Sequence, residues 1–232
     1  MMDFREEFSP APACDLSPAH ELVRALRDAI SRNRFSPGLR LNLTELAETT
    51  SFSRESIEAA ALLLEVEGLV ARLTATDVRV RAISEIHVRN ALFLREQTEV
   101  AILRRVAEIA DTALLTDLRE QIMRQKLVSA RGPQDLLRLD DRFHLTLCEA
   151  AGYGSLWPQL ERWKRCTDRV HFTMGTYDSS PEAAIEQHAA IVDCLAMRDG
   201  DGAAAAMRYH LQQAKRLLAE FLHDEPKRPD PA

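Results

Sequence analysis

The sequence predicts a mainly α-helical protein in two parts: a small unit of three helices closed by a two-stranded hairpin, then a longer all-α antiparallel helical bundle. Three observations predict it. With 232 residues the chain exceeds the usual single-domain size, and a prior of about 150 residues per domain favours two domains. Apolar residues recur at helical spacing on both sides of residues 69–81, where the period shortens to that of strands. From Ser84 onward the helical pattern persists, broken only by short connections.

Residues 1–17 are rich in Pro, Ala and acidic groups without periodicity and are expected to form a disordered arm. Leu22, Leu26 and Ile30 then mark a first helix, which the Pro37-Gly38 turn ends. Thr44 opens a second short helix with Leu46 and Ala47 inward. Ser53 is the expected N-cap of a third, which carries Ile57, Ala61 and Leu64 and stops at Gly68. Leu69–Leu73 and Val78–Arg81 alternate around Ala75-Thr76-Asp77, as two strands and a tip do. Three short helices and a hairpin within 18–83 are the order of a winged helix-turn-helix, whose third helix would enter a DNA major groove. The bundle, 84–223, reads as helices near 84–110, 112–129, 134–151, 154–175, 181–198 and 201–222, with Asp199 capping the last. Residues 224–232 hold three prolines and are expected to be a disordered tail.

Composition narrows the function classes. The N-terminus lacks a basic and an apolar region of a secretion signal, and no run approaches the roughly 18 apolar residues of a membrane span. A cytoplasmic protein without a membrane partner is therefore expected. Cys14, Cys148, Cys166 and Cys194 lack CxxC spacing, which reads as free thiols rather than a disulfide or zinc-ribbon framework. Net charge is −6, so any nucleic-acid contact must rest on local positive charge. Residues 20–83 hold nine Arg and nine acidic residues, with the positive charge gathered at Arg32, Arg34, Arg40 and at Arg72, Arg79, Arg81.

The informative residues are polar groups on apolar stripes. Asp140 and His144 are four apart and share a face with Leu147 and Ala151. His188 falls in line with Ile185, Val192 and Leu195, and His210 with Met207, Ala214, Leu217 and Phe221. Burying one carboxylate and three imidazoles costs several kcal/mol unless they hydrogen-bond one another or share a cation. One Asp oxygen and three His nitrogens suit zinc foremost, or nickel, iron or manganese, with positions left open for water or a carboxylate. Arg95 and Glu99 form a second inward pair beside Leu92, Ile102 and Val106, readable as an effector anchor or as a structural ion pair.

These residues resemble the GntR family of bacterial regulators, in its FadR-type branch with an FCD effector domain. The N-terminal likeness rests on Pro37-Gly38-x-Arg40-Leu41, Leu46-Ala47, Ser53-Arg54 and Leu64-x-x-Glu67-Gly68-Leu69-Val70. The C-terminal likeness rests on Arg95-x-x-x-Glu99, Asp140-x-x-Phe143-His144, His188-x-x-Ile191 and Arg198-Asp199 through Met207-x-x-His210. The resemblance implies that Asp140, His144, His188 and His210 are ligands of a divalent metal. It implies a homodimer on a palindromic double-stranded operator, controlled by a small carboxylate effector. Arg95, Glu99 and Tyr153 are the expected effector-binding residues. Arg32, Arg40, Thr44, Ser53, Arg54, Ser56, Arg72 and Arg79 are the expected DNA contacts.

The chain also departs from the family pattern. Glu58 stands where the family carries a DNA-facing arginine, Asp77 where the wing tip favours glycine, and Tyr153 where Asn is common. Glu58 and Asp77 are expected to repel phosphate and weaken or alter operator binding. Two other functions compete with a ligand-responsive regulator: a degenerate regulator that dimerises and binds ligand without tight DNA contact, and a metal-dependent enzyme.

Overall fold

The computed structural model describes residues 17–129, 133–174 and 181–224. The expected arm and tail lie outside them except for Ser17, at the N-cap of the first helix, and Asp224, at the end of the last. The chain divides into two compact units between Ile83 and Ser84.

The first unit runs α1 (Pro18–Ser31), β1 (Arg40–Asn42), α2 (Leu43–Thr49), α3 (Arg54–Val66), β2 (Val70–Arg72) and β3 (Asp77–Val80). Leu22, Val23, Leu26, Ala29 and Ile30 of α1 are buried with Ile57, Ala60, Ala61 and Leu64 of α3 in one core. Each of the larger side chains contributes about 1.5–3 kcal/mol by leaving water. The Asn42 side chain caps α2, accepting from the backbone N–H of Thr44 at 3.0 Å and of Glu45 at 2.9 Å. Ser53 Oγ accepts from the Ser56 N–H at 3.2 Å and caps α3, as its position predicts. At the other end of α3, Gly68 takes φ +74°. The Gly68 and Leu69 N–H groups there return to the carbonyls of Glu65 and Leu64, which satisfies the last turn.

The strands form an antiparallel sheet of order β1-β3-β2, with Leu41 opposite Val78 and Val70 opposite Val80. The sequence predicts the β2–β3 hairpin but not β1. That strand has only three residues, with Leu41 alone buried, too few to establish a period.

The second unit runs α4 (Glu85–Ile109), α5 (Thr112–Val128), α6 (Pro133–Ala150), a 3-10 turn (Gly154–Leu156), α7 (Trp157–Thr173), α8 (Pro181–Ala196) and α9 (Gly200–Asp224). The predicted helix at 154–175 is thus a 3-10 turn followed by α7, whose first turn accommodates Pro158. α4 packs chiefly on α9 and α7, and α5 on α6 and α8. The shared core includes Leu103, Val106, Leu118, Phe143, Leu147, Ile191, Leu195, Met207 and Leu211.

The α8–α9 corner rests on two adjacent residues. Arg198 adopts φ +55°, a conformation that costs a non-glycine residue of order 1 kcal/mol. Its guanidinium offsets this by donating to the carbonyls of Glu108 at 2.7 Å and Ala110 at 3.2 Å, at the C-terminus of α4. Asp199 accepts from the Gly202 N–H at 2.8 Å and caps α9. The α4 end and the α9 start are thereby tied together, with Glu99 on one helix and His210 on the other.

Among the described residues no helix is long and apolar enough to cross a membrane. Cys148, Cys166 and Cys194 are free thiols, and Cys14 lies outside the described residues.

Candidate metal centre and nucleic-acid face

Three helices bring the inward polar residues together. α6 supplies Asp140 and His144 one turn apart, α8 supplies His188 and α9 supplies His210. One potential ligand atom from each lies within 4.8 Å of every other. The imidazole centroids are 4.8–5.6 Å apart, and Phe143 stacks on His188 with centroids 4.3 Å apart, which fixes the plane of that ring.

Hydrogen bonding orients the rings. Gln125 is fully buried on α5, and its Nε2 donates to the carbonyl of Leu139 at 3.2 Å, so its Oε1 turns toward His188 Nδ1 at 2.9 Å. An amide oxygen only accepts, so Nδ1 carries the proton and Nε2 presents a lone pair. Gln187 Oε1 plays the same part for His210 Nδ1 at 2.8 Å. Glu99 Oε2 lies 2.6 Å from His144 Nδ1, a close contact whose angle departs from that of a hydrogen bond. Each Nδ1 therefore faces an oxygen, the arrangement that aims Nε2 at a shared ion. His188 Nε2 is 3.3 Å from Asp140 Oδ1, and His144 Nε2 is 4.0 Å from Asp140 Oδ2.

Electrostatics favours the metal-binding forms. Burial pushes the His188 imidazole down to about 4, and it holds His210 well below its ordinary value, so both are neutral near pH 7. Burial also opposes ionisation of Asp140, but the neighbouring Lys164 and imidazoles outweigh it and hold that carboxyl well below its usual range. His144 Nε2 and His188 Nε2 are buried without a hydrogen-bond partner. Around them Arg95 and Lys164 face the carboxylates of Glu99, Asp140, Asp141 and Asp168. Lone pairs without donors beside excess negative charge are what one divalent cation would satisfy, so these residues fit such an ion.

Asp140, His188 and His210 line a cavity of about 500 Å³ that also touches Arg95, Gln125, Lys164, Thr167, Asp168 and His171. Its apolar side includes Leu136, Ile185, Leu211 and Leu217. This is the size of a small-molecule pocket.

The expected effector residues separate. Arg95 lines the cavity, but Nε is 2.8 Å from Glu99 Oε1 and Nη1 is 3.0 Å from Thr167 Oγ1. Glu99 does not line the cavity; it bridges Arg95 and His144, which corrects its expected role. Burial opposes its charge, yet Arg95 and His144 prevail and keep its carboxyl well below the usual range. Tyr153 is also displaced from expectation: it is half-exposed before the 3-10 turn and is not among the cavity-lining residues. Gln125, Gln187, Lys164 and Asp168 carry no signal in the sequence, and His171, an ordinary residue by its sequence pattern, also lines the cavity. Gln and Lys carry no metal-ligand signature, and only their register on α5, α7 and α8 against the histidines could have marked them.

On the first unit, Arg54, Ser53, Thr44, Arg40 and Arg79 are exposed, and Ser56 is half-buried in the first turn of α3. Arg32 is a correction: its side chain is 7% exposed and lies 2.8 Å from Asp28, directed into the unit rather than outward. Arg72 is held by Glu58 at 3.2 Å and by Glu65 at 3.7 Å, so the acidic residue that replaces an arginine in α3 is matched by a strand arginine. Asp77 is a second correction. It begins β3 opposite Asn42, buried, and accepts from Arg40 at 2.9 Å, Thr74 at 2.8 Å and Asn42 at 3.1 Å. These bonds hold its carboxyl far below the usual range. The expected repulsion of phosphate by a tip aspartate is replaced by an internal strut, because residues 73–76 form the tip.

Comparison with known proteins agrees with both units. Residues 18–80 match the bacterial regulatory proteins of the gntR family, and residues 90–213 match the FCD domain. The chain is 31% identical over 202 residues to the HTH-type transcriptional repressor RspR of Escherichia coli K12, covering 87% of this chain and 89% of that protein. It is 30% identical over 221 residues to the HTH-type transcriptional regulator YdfH of Escherichia coli O6:H1, covering 95% of each. Among solved structures, E. coli McbR/YncC superposes with a TM-score of 0.74 at 18% identity, covering 88% of this chain and 98% of that one. A putative GntR regulator from Rhodococcus sp. RHA1 gives 0.70 at 21% identity, covering 91% and 100%. RspR and YdfH are named as transcriptional regulators, not as enzymes. The chain is therefore a DNA-binding transcriptional regulator of the GntR family, with a winged helix-turn-helix joined to a helical FCD domain.

Proposed function

We propose that this regulator is metal-centred and ligand-responsive: Asp140, His144, His188 and His210 hold one divalent cation, zinc foremost, and a small carboxylate effector enters the adjoining cavity. The carrying observation is the orientation of the rings, with Nδ1 of each histidine facing Glu99, Gln125 or Gln187 and the Nε2 atoms free to converge with Asp140. A bound cation would act as a Lewis acid that accepts an effector carboxylate. Gln125 and Gln187 hold the tautomers, Phe143 holds the ring plane, and Leu136, Ile185 and Leu217 exclude water from one side of the cavity.

The regulator works in the cytoplasm as a homodimer on a palindromic operator, since paired third helices need two-fold related half-sites. Arg54, Ser53, Ser56 and Thr44 read or position the duplex, with Arg40 and Arg79 from the strands. The ion pairs of Glu58 and Asp77 with Arg72 and Arg40 favour a working DNA face over a degenerate one.

Metal analysis of gently purified protein, with mass spectrometry of retained small molecules, tests the sensor. One equivalent of a divalent metal that is lost on His188→Ala is expected. Retention of metal by that variant would refute the site. Gel mobility of adjacent intergenic DNA with and without organic acids tests the response.

A further inference from the structure

Lys164 is the most enclosed cation of the second unit's polar cluster, with only 3% of its surface exposed. Its Nζ lies 2.9 Å from Asp140 Oδ2, 2.9 Å from Asp141 Oδ1 and 3.0 Å from Asp168 Oδ2. A lysine in so enclosed a place needs counter-charges, and these three carboxylates supply them. One of the three belongs to the metal quartet. Asp140 is therefore divided: Oδ2 goes to the ammonium at 2.9 Å and stands 4.0 Å from His144 Nε2, while Oδ1 faces His188, 3.3 Å from its Nε2.

We propose that Lys164 is a positioning residue of the metal centre, which restricts Asp140 to one-oxygen ligation and holds down the site's affinity for cations, hard oxygen-seeking ones most of all. The inference rests on the metal-centred reading above. Two physical effects carry it. An ammonium on Oδ2 withholds the second oxygen that bidentate ligation needs, and manganese depends on carboxylate oxygen more than zinc does. A fixed positive charge one carboxylate away from the ion also repels it, and little water intervenes to screen that repulsion. A neutral side chain at 164 would lift both restraints and leave Asp141 and Asp168 as added negative charge nearby.

Chelator-competition titrations with zinc and with manganese, on the full chain and on Lys164→Gln and Lys164→Arg, test this. Lys164→Gln is expected to bind manganese at least 10-fold more tightly, with a smaller gain for zinc, the range that outer contacts of a metal site command. Lys164→Arg keeps the charge and stays near the unsubstituted protein. Unchanged or weaker manganese binding by a folded Lys164→Gln would overturn the proposal while leaving the metal centre standing. Binding of neither metal by the unsubstituted protein would overturn the metal reading and this inference with it. Should Lys164→Gln fail to fold, a crystal structure of the zinc-loaded natural chain decides. Asp140 Oδ2 remaining on Lys164 supports the proposal, and both Asp140 oxygens on zinc overturn it.

Discussion

Glu99→Leu tests how far the second unit depends on a buried charge. The Glu99 carboxylate lies 2.8 Å from Arg95 and 2.6 Å from His144, with both the Arg95 and Glu99 side chains less than a tenth exposed. At 2.8 Å the attraction between Arg95 and Glu99 has a ceiling of about 6 kcal/mol for an effective dielectric constant of about 20. Desolvation offsets much of that in the intact pair, but removing one partner leaves a guanidinium buried without its counter-charge, which costs about 3–5 kcal/mol. For a unit of this size the loss corresponds to a fall in Tm of roughly 10–15 °C. Urea denaturation at pH 7 with a chelator present, which separates the loss from any effect on metal, measures it. Arg95→Leu combined with Glu99→Leu removes both charges and should cost less than the two single changes added, by about 1–3 kcal/mol. A loss below about 1 kcal/mol for the single variant, or strict additivity, would refute the reasoning.

Four further outcomes are expected. Glu58→Gln combined with Glu65→Gln removes both carboxylates that hold the Arg72 guanidinium, so operator affinity in fluorescence anisotropy rises and the salt slope steepens by about one; an unchanged slope means that Arg72 makes no phosphate contact. Metal-free protein loses stability on acidification. The folded His171 and His188 refuse protons down to about 4, and His210 is held low as well, whereas unfolded imidazoles accept them near 6.5. Asp168, raised by burial to about 6 from 3.8, works the other way over part of that range, so melts between pH 7 and 5 should show a net fall. Gln125→Ala removes the acceptor of His188 Nδ1 and should weaken zinc binding about 10–100-fold in the same chelator competition, with the fold retained. Arg198→Ala leaves the positive φ and removes the clamp on the α4 carbonyls, lowering stability by about 1–3 kcal/mol in thermal denaturation.

Periodicity alone marked out most of the helices of both units, because an amphipathic stripe is a local property: Leu22, Leu26 and Ile30 face one way whatever they pack against. The same logic placed Asp140, His144, His188 and His210 on inward faces. Caps were local too, as Ser53 and Asp199 show. β1 escaped notice because its partner, β3, lies 35 or more residues away and a three-residue strand has no period of its own.

What tertiary structure decided is the direction and pairing of charge. A sequence shows Asp77 as a charge near a DNA face, but only packing turns it inward, to Arg40, Asn42 and Thr74; the Arg32–Asp28 pair, four residues apart, is local by contrast. Glu99, expected in the effector pocket, stands behind His144 instead, and Tyr153 lies outside the cavity. Gln125 and Lys164 acquire meaning only from what α5 and α7 place them against. Burial pattern is carried by each helix singly and so can be read from the chain. The partner of a polar group is set by the meeting of helices far apart in sequence, where a few ångströms separate an ion pair from a metal ligand.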